Sequence, residues 1–333
     1  MSLRLLVSRA ALQRFDGRIG AVLNGHPHEI VLLDEVRDPG APQVDIGLLS
    51  RDITGKSTKF DLVATTQRFF DTLYASPGLK WMHTHSAGTD RPVYPPLFAR
   101  GVTITTSSGA SARTIGVSVL GGMIALARGF VAQWEAQKRH AWVPLDEVAG
   151  PPEFARGRAM VVGLGPIGRE ISRLLRAFGL HVVGVRRAAE PVPECDETIA
   201  YAQLRSHLAH TDWLVLACPL TQTTRGLIDA QALAALPRGA RIVNVARGEI
   251  VDEPAMARAL ASGQLGGAWL DVFQHEPLDR ASPLWDLPNV IISPHSSSRS
   301  SGHYDEVLEM FLDNLARFRD GRPLRNVARP GTH

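Results

Sequence analysis

Short apolar runs recur through the first hundred residues, each followed by a helical or polar stretch. Leu3–Val7, Ile30–Leu33, Asp45–Leu49, Leu79–Thr84 and Val102–Thr106 have the length of buried strands. Their alternation with helical spacing predicts parallel strands joined by crossover helices. The clearest helix runs from Phe60 to Tyr74, where Leu62, Val63, Phe69, Phe70 and Leu73 share a face with one slip. Ser111 to Phe130 is nearly all small or apolar and predicts a helix buried between two domains, the natural crossing point of the chain.

Gly150, Pro151 and Pro152 interrupt the pattern, and a second alternating series then begins. Strands are expected at Ala159–Val162, His181–Val185, Trp213–Ala217, Arg241–Val245, Gly267–Leu270 and Val290–Ile292. Helices are expected near Gly168–Phe178, Gln203–Ala209, Gln231–Ala235 and Glu253–Ala261. Six strands in this rhythm make a complete doubly wound sheet. In the tail, Val307, Leu308, Phe311, Leu312 and Leu315 recur at helical spacing between Tyr304 and Phe318, which suits a helix returning to the first domain. The fold class expected is α/β: two doubly wound parallel-sheet domains. The nucleotide-binding one, 111–294, is inserted into a second formed by 1–110 and 295–333.

Composition narrows the partners. With 333 residues, 44% apolar and 21% charged, the chain has the balance of a globular protein of two ordinary domains. No run approaches the roughly 20 apolar residues of a membrane span. A net charge of +3 on interspersed bases and acids does not build a phosphate-neutralising tract, so nucleic acid is not expected. Cys195 and Cys218 have neither zinc nor disulfide spacing, so no metal is expected and a reducing cytoplasm fits. The opening, with Arg4, Arg9 and Arg14 before its first acid, admits a transit peptide, but Leu3–Val7 followed by a helical pattern reads better as a first strand.

Gly163-Leu164-Gly165-Pro166-Ile167-Gly168 satisfies GxGxxG, follows the Ala159–Val162 run and opens a helix. Gly163 permits the tight turn, Gly165 lets the backbone approach a pyrophosphate, and Gly168 allows close helix–strand packing. The helix N-terminus then offers free N–H groups to the anion. NAD would call for a carboxylate at the end of the next strand. That strand ends instead on Val185-Arg186-Arg187, two guanidinium groups suited to the 2′-phosphate of NADP(H), with NAD(H) still possible.

Three further segments complete a constellation: Asn244-Val245-Ala246-Arg247-Gly248, Asp271-Val272-Phe273-Gln274-His275-Glu276-Pro277, and Ser293-Pro294-His295. With Pro219-Leu220-Thr221, Thr224-Arg225-Gly226 and Ser282-Pro283-Leu284-Trp285, the sequence from Arg158 to His295 resembles the D-isomer-specific 2-hydroxyacid dehydrogenases. The resemblance implies that Arg247 holds the substrate's carboxylate and keto oxygen, a task for a planar fork of donors. It implies that His295 passes a proton to the keto oxygen, and that Glu276 bonds the other imidazole nitrogen and favours the protonated ring. It places Asp271 near the nicotinamide. It also extends the cofactor contacts to Pro166, Ile167, Cys218, Pro219, Thr224, Val245, Ala246, His295 and Ser298. Relatives of this family are homodimers joined through the nucleotide domain, and Trp134 and Trp142 suit such an interface.

In the first domain His85-Ser86-Ala87-Gly88 is similar to the family's substrate loop, whose N–H groups at Ala87 and Gly88 would meet the substrate carboxylate beside Ser86. Trp81, His83 and His85 are candidates to line the pocket or, because a strand alternates faces, to fill the core. Two departures bear on the substrate. Gly116-Val117 stand where many relatives carry Ala-Glu, and Ser296-Ser297-Ser298 follow His295 where an apolar residue and small ones are common. The function implied is reduction of a small 2-oxo acid, glyoxylate or hydroxypyruvate leading, to the D-2-hydroxy acid in a cleft between the domains. Rivals are a corepressor-like dinucleotide sensor and a phosphite or formate dehydrogenase of the same fold. Glu276 argues against formate, where an amide is expected.

Overall fold

A computed structural model of the chain describes residues 2–15, 17–57, 61–144 and 153–329. The expected helical start at Phe60 and the break at Gly150, Pro151 and Pro152 lie outside the described residues. The chain divides into two compact units, one made of Met1–Ala110 with Ser300–His333, the other of Ser111–Arg299.

The first unit is built on five parallel strands, β1 (Leu3–Val7), β2 (His28–Leu32), β3 (Ile46–Leu49), β4 (Trp81–Thr84) and β5 (Thr103–Thr106), in the order β2-β1-β3-β4-β5. Both faces are covered, which is why β3 and β4 are buried along their whole length and read as unbroken runs. Phe69, Phe70, Leu73, Tyr94 and Leu97 pack on one face. Phe15, Ile19 and Leu23 pack on the other, together with Leu308, Phe311, Leu312 and Leu315 of the tail helix His303–Arg319. The helix from Ala64 to Tyr74 starts after Val63, so Leu62 and Val63 precede it.

The second unit holds seven parallel strands. They are β6 (Arg158–Val162), β7 (His181–Arg186), β8 (Glu197–Ala200), β9 (Trp213–Leu216), β10 (Ala240–Asn244), β11 (Leu265–Leu270) and β12 (Val290–Ile292), in the order β12-β11-β10-β9-β6-β7-β8. The sequence pattern anticipates six. β8 escapes it because it is a short edge strand with only Ile199 buried, following a polar, proline-containing stretch. Gln203–Ala209 is also not one helix: Leu204–His207 is flanked by 3-10 turns at Tyr201–Gln203 and Leu208–His210.

The apolar segment after Ser111 becomes the helix Ala112–Ala127, which turns at Gly129 (φ 64°) into Phe130–Lys138. It packs within the second unit. Gly122 faces the Trp269 indole so closely that a Cβ would stand 2.5 Å from the ring, and Gly116 faces Leu174 and Glu170. Val117, on the same helix, is 58% exposed. Among the described residues no single helix is long and apolar enough to cross a membrane, and no cluster of three or more metal-binding side chains occurs.

Candidate active site

The glycine turn follows β6, where Gly163 sits at φ 96°. A Cβ there would overlap the backbone of Cys218, and one at Gly168 would overlap the Gly163 carbonyl oxygen, whereas Gly165 has open space before it. Helix Pro166–Ala177 starts directly behind, with Gly165 as N-cap and a proline that has no N–H to leave unpaired. The turn forms one wall of a cavity of about 450 Å³, lined also by Arg186, Arg187, Ala188, Glu190, Tyr201, Pro219, Thr221, Thr223 and Thr224.

Of the cofactor contacts anticipated, the cavity brings together Gly163, Gly165, Arg186, Arg187, Pro219 and Thr224. Pro166 is exposed at the start of the helix, while Ile167 turns toward the apolar core beneath it. Cys218 is buried with its thiol pushed up to about 12 by that burial, so it packs behind the turn as an inert neutral group. Thr224 commits its hydroxyl to the Pro219 carbonyl at 2.6 Å and shapes the 219–224 turn. Sequence reasoning missed Glu190. It lies four residues beyond Arg186, in an irregular stretch with no period to flag it, and its carboxylate stands 3.4 Å from the Arg186 guanidinium.

The second cluster sits at the carboxyl ends of β10, β11 and β12. Asn244, 2% exposed, ties the segment after β10 by accepting from the Ala246 N–H at 3.0 Å and donating to the Arg247 carbonyl at 3.1 Å. Val245 and Ala246 are buried beneath it. Gly248 lies so near the backbone of Phe273 and Gln274 that any Cβ would overlap it. This close approach brings the Arg247 segment against the one that carries Glu276. Glu276 accepts from the Phe273 N–H at 3.1 Å through one oxygen and meets His295 Nδ1 at 2.7 Å through the other. Burial pushes the Glu276 carboxyl up, but the His295 hydrogen bond and charge, the Phe273 N–H and the Arg247 charge outweigh it and hold the carboxyl below its ordinary range.

His295 has the left-handed backbone conformation, φ 48°, uncommon outside glycine. Its N–H is held by the carbonyls of Asp271 and Ser293, both at 2.9 Å. Asp271 itself is 2% exposed. Ser298 is half-buried beyond this turn.

In the first unit Ser86–Gly88 follows β4. Ser86 donates to the Gly88 carbonyl at 2.9 Å, and the Ser107 N–H holds the Ser86 carbonyl at 3.1 Å. Ala87 is exposed at the tip. Trp81 and His83 belong to the core, both fully buried, because at i and i+2 they project from one face of β4 onto Phe311 of the tail helix. The Trp81 indole N–H donates to Thr105 Oγ1 at 2.8 Å, which leaves that hydroxyl's proton for His83 Nδ1, also at 2.8 Å. Ser107 gives its proton to the Thr84 carbonyl at 3.0 Å, so His83 Nε2 must carry the hydrogen of its 3.0 Å contact with Ser107. Burial lowers the His83 pKa to about 3. His85, partly exposed at the strand end, bonds Thr54 Oγ1 at 2.9 Å, and burial and then the Arg51 charge take it to about 3 as well.

Residues 120–297 match the family model for the NAD-binding domain of D-isomer-specific 2-hydroxyacid dehydrogenases. A glyoxylate reductase of Thermococcus onnurineus is 32% identical over 322 residues, covering 91% of this chain and 90% of that protein. Among solved structures, a D-isomer-specific 2-hydroxyacid dehydrogenase of Xanthobacter autotrophicus Py2, in complex with NADPH and MES, superposes with a TM-score of 0.76 at 29% identity, covering 99% and 98% of the two chains. An NADPH-dependent glyoxylate/hydroxypyruvate reductase of Sinorhizobium meliloti, in complex with NADP and sulfate, gives 0.77 at 26% identity and 98% coverage of each. The chain belongs to the D-isomer-specific 2-hydroxyacid dehydrogenase family. It is an NAD(P)-dependent oxidoreductase of that family.

Proposed function

We propose that this protein reduces a small 2-oxo acid, glyoxylate or hydroxypyruvate, to the D-2-hydroxy acid, with NADPH preferred over NADH. The 2.7 Å bond between Glu276 and His295 Nδ1 carries the reading, because it leaves Nε2 as the imidazole nitrogen free to serve a substrate. His295 gives the proton to the keto oxygen. Glu276, ionised below the ordinary carboxylate range, keeps the ring oriented and supports its charged form. Arg247 grips the carboxylate and keto oxygen, and the Ser86–Gly88 loop supplies backbone donors to the carboxylate. The nicotinamide, when bound, supplies the hydride. The glycine turn, packed too tightly on Cys218 and on its own carbonyl for side chains at Gly163 and Gly168, and with open space before Gly165, suits its pyrophosphate.

Arg186 and Arg187 favour the 2′-phosphate, a preference that Glu190 moderates by competing for Arg186. Homodimerisation is proposed through the helices after Ser111, where Val117, Phe130 and Trp134 are exposed along with Trp142 beyond them. A cytoplasmic setting fits the free cysteines. Oxidation of NADPH and NADH by the purified protein with glyoxylate, hydroxypyruvate, pyruvate and phenylpyruvate tests the reading. Turnover of the first two at the higher kcat/KM is expected, and no turnover of any 2-oxo acid would overturn it.

A further inference from the structure

Two chains of hydrogen bonds run from the core of the first sheet to the loop after β4, one on each face of the strand. On the first face the Trp81 indole N–H donates to Thr105 Oγ1 at 2.8 Å, and that hydroxyl faces His83 Nδ1 at 2.8 Å. His83 Nε2 meets Ser107 Oγ at 3.0 Å, and Ser107 already gives its one hydroxyl proton to the Thr84 carbonyl at 3.0 Å. The imidazole therefore carries its hydrogen on Nε2 and accepts from Thr105 on Nδ1. On the second face Thr84 Oγ1 accepts from the Tyr94 hydroxyl at 3.2 Å and from the Ser86 N–H at 3.4 Å. Its own proton goes to Ser86 Oγ at 3.1 Å, and Ser86 passes its proton to the Gly88 carbonyl at 2.9 Å. His83, Thr84 and Thr105 are fully buried and Ser107 nearly so, where a lost bond is not made good by bulk solvent.

Both chains end on carbonyls of the loop. For the first, Ser107 is the link, because its N–H is shared between the carbonyls of Thr84 at 3.0 Å and Ser86 at 3.1 Å. A peptide group is planar and trans, so its C=O and N–H point in opposite directions. Holding the Ser86 carbonyl against Ser107 thus turns the N–H of Ala87 away from Ser107, at a residue that is exposed. Among the described residues neither Ala87 nor Gly88 spends its N–H on another backbone carbonyl.

We propose that His83 is a positioning residue for the substrate loop: its Nε2–H holds Ser107, and Ser107 holds the Ser86–Ala87 peptide so that the Ala87 N–H is offered to the substrate's carboxylate. This rests on reading Ser86–Gly88 as the carboxylate-binding loop. His83, fully buried, acts only through Ser107. Burial, which takes its pKa to about 3, keeps the ring neutral. A grip on the carboxylate, away from the carbon that takes the hydride, acts alike on ground and transition states, so its loss raises KM and spares kcat.

Two substitutions of the same ring separate its halves. His83→Gln places an amide nitrogen where Nε2 stands and can still donate to Ser107, whereas the shorter side chain of His83→Asn reaches only the place of Nδ1. With saturating reduced cofactor, His83→Asn should raise the KM for glyoxylate roughly tenfold, the scale of a buried hydrogen bond left open. Its kcat and cofactor Kd should stay within about threefold of wild type. His83→Gln should restore the KM to within about threefold. Ser107→Ala should match His83→Asn, and the two together should be no worse than either, since the bond can be lost only once. An unchanged KM in His83→Asn, or His83→Gln as impaired as His83→Asn, would overturn the proposal. So would a kcat that falls as far as KM rises, the mark of general loosening. NMR of protein carrying isotope-labelled histidine, with His83 assigned by the signal missing from His83→Gln, should show the ring protonated at Nε2; an Nδ1–H tautomer would reverse the chain and overturn it as well. Should His83→Asn fail to fold, Ser107→Ala carries the same KM expectation. If the wild type turns over no 2-oxo acid, the proposed function falls. The tautomer, together with hydrogen exchange in the peptide spanning 84–90, faster in His83→Asn and Ser107→Ala than in His83→Gln, still decides the hold on the loop.

Discussion

Arg247, Glu276 and His295 differ in what each loses on substitution. Arg247→Lys keeps the charge but replaces a planar fork by a point charge that cannot span two oxygens. A loss of about 2 kcal/mol or more in transition-state stabilisation is expected from kcat/KM with glyoxylate, and a lysine variant with full activity would remove Arg247 from the substrate. For the other two the sign can be worked out. Glu276 has its pKa lowered, so its support is present above the ordinary carboxylate pKa and is lost only as pH falls through the depressed value. On the proposed reading the charged imidazole is the donor in keto-acid reduction, so activity is expected to fade as pH rises. Glu276→Gln removes the carboxylate's support, and the fading limb should move to lower pH. His295→Ala should abolish the limb and lower kcat roughly 100- to 10,000-fold. A limb that stays or moves upward in Glu276→Gln would separate the two residues.

At the scale of elements, close backbone approaches decide where the groups stand. Gly248 touches the Phe273–Gln274 backbone, and Gln274 is held by Glu253 Oε2 at 2.9 Å and by the Val251 carbonyl at 2.8 Å. In Gly248→Ala the 273–276 segment must shift, since backbone and not a flexible side chain fills the space. The expected outcome is a kcat lowered about 100-fold, the scale of a misplacement near 1 Å, with a reduced Tm in thermal unfolding; a variant matching wild type in both would show that the segment yields freely. The sequence shows that glycine as part of Asn244-Val245-Ala246-Arg247-Gly248, but the pattern says nothing of what it touches. The same limit applies to β8 and Glu190. Local periodicity reports a buried face, and an edge strand or an irregular loop has little of one. Trp81 and His83 illustrate the converse: their spacing of two residues puts them on one face of β4, yet only the long-range packing of Phe311 on that face shows that both lie inside.

For the whole molecule, what the sequence makes legible is the repeated strand–helix rhythm, which brings the five runs of the first unit to a sheet in the order β2-β1-β3-β4-β5 and gives six of the seven strands of the second. Strand order and the end of each run follow from long-range pairing that no local window contains. Cofactor choice is best read on the intact protein, because binding to the native state alone raises its stability by mass action. At a hundredfold excess over Kd the gain is about 2.7 kcal/mol. NADPH should therefore raise the Tm more than equimolar NADH, and replacing Arg186 and Arg187 together by Gln should erase that difference. Equal shifts by both cofactors in the wild type would withdraw the preference for NADPH.

The hydrogen-bond chain beneath the first sheet also has an optical consequence. Of six tryptophans, Trp81 alone lies in the first unit, fully buried, stacked on Phe311 at 5.1 Å, with its indole N–H donating into the Thr105–His83 chain. The other five belong to the second unit, and among them Trp142 is 95% exposed. The polypeptide thus carries its own spectroscopic label for one sheet. The difference in emission between wild type and Trp81→Phe isolates a single indole in a dry, hydrogen-bonded setting, and its red shift in denaturant times the opening of that sheet apart from everything the remaining five tryptophans report.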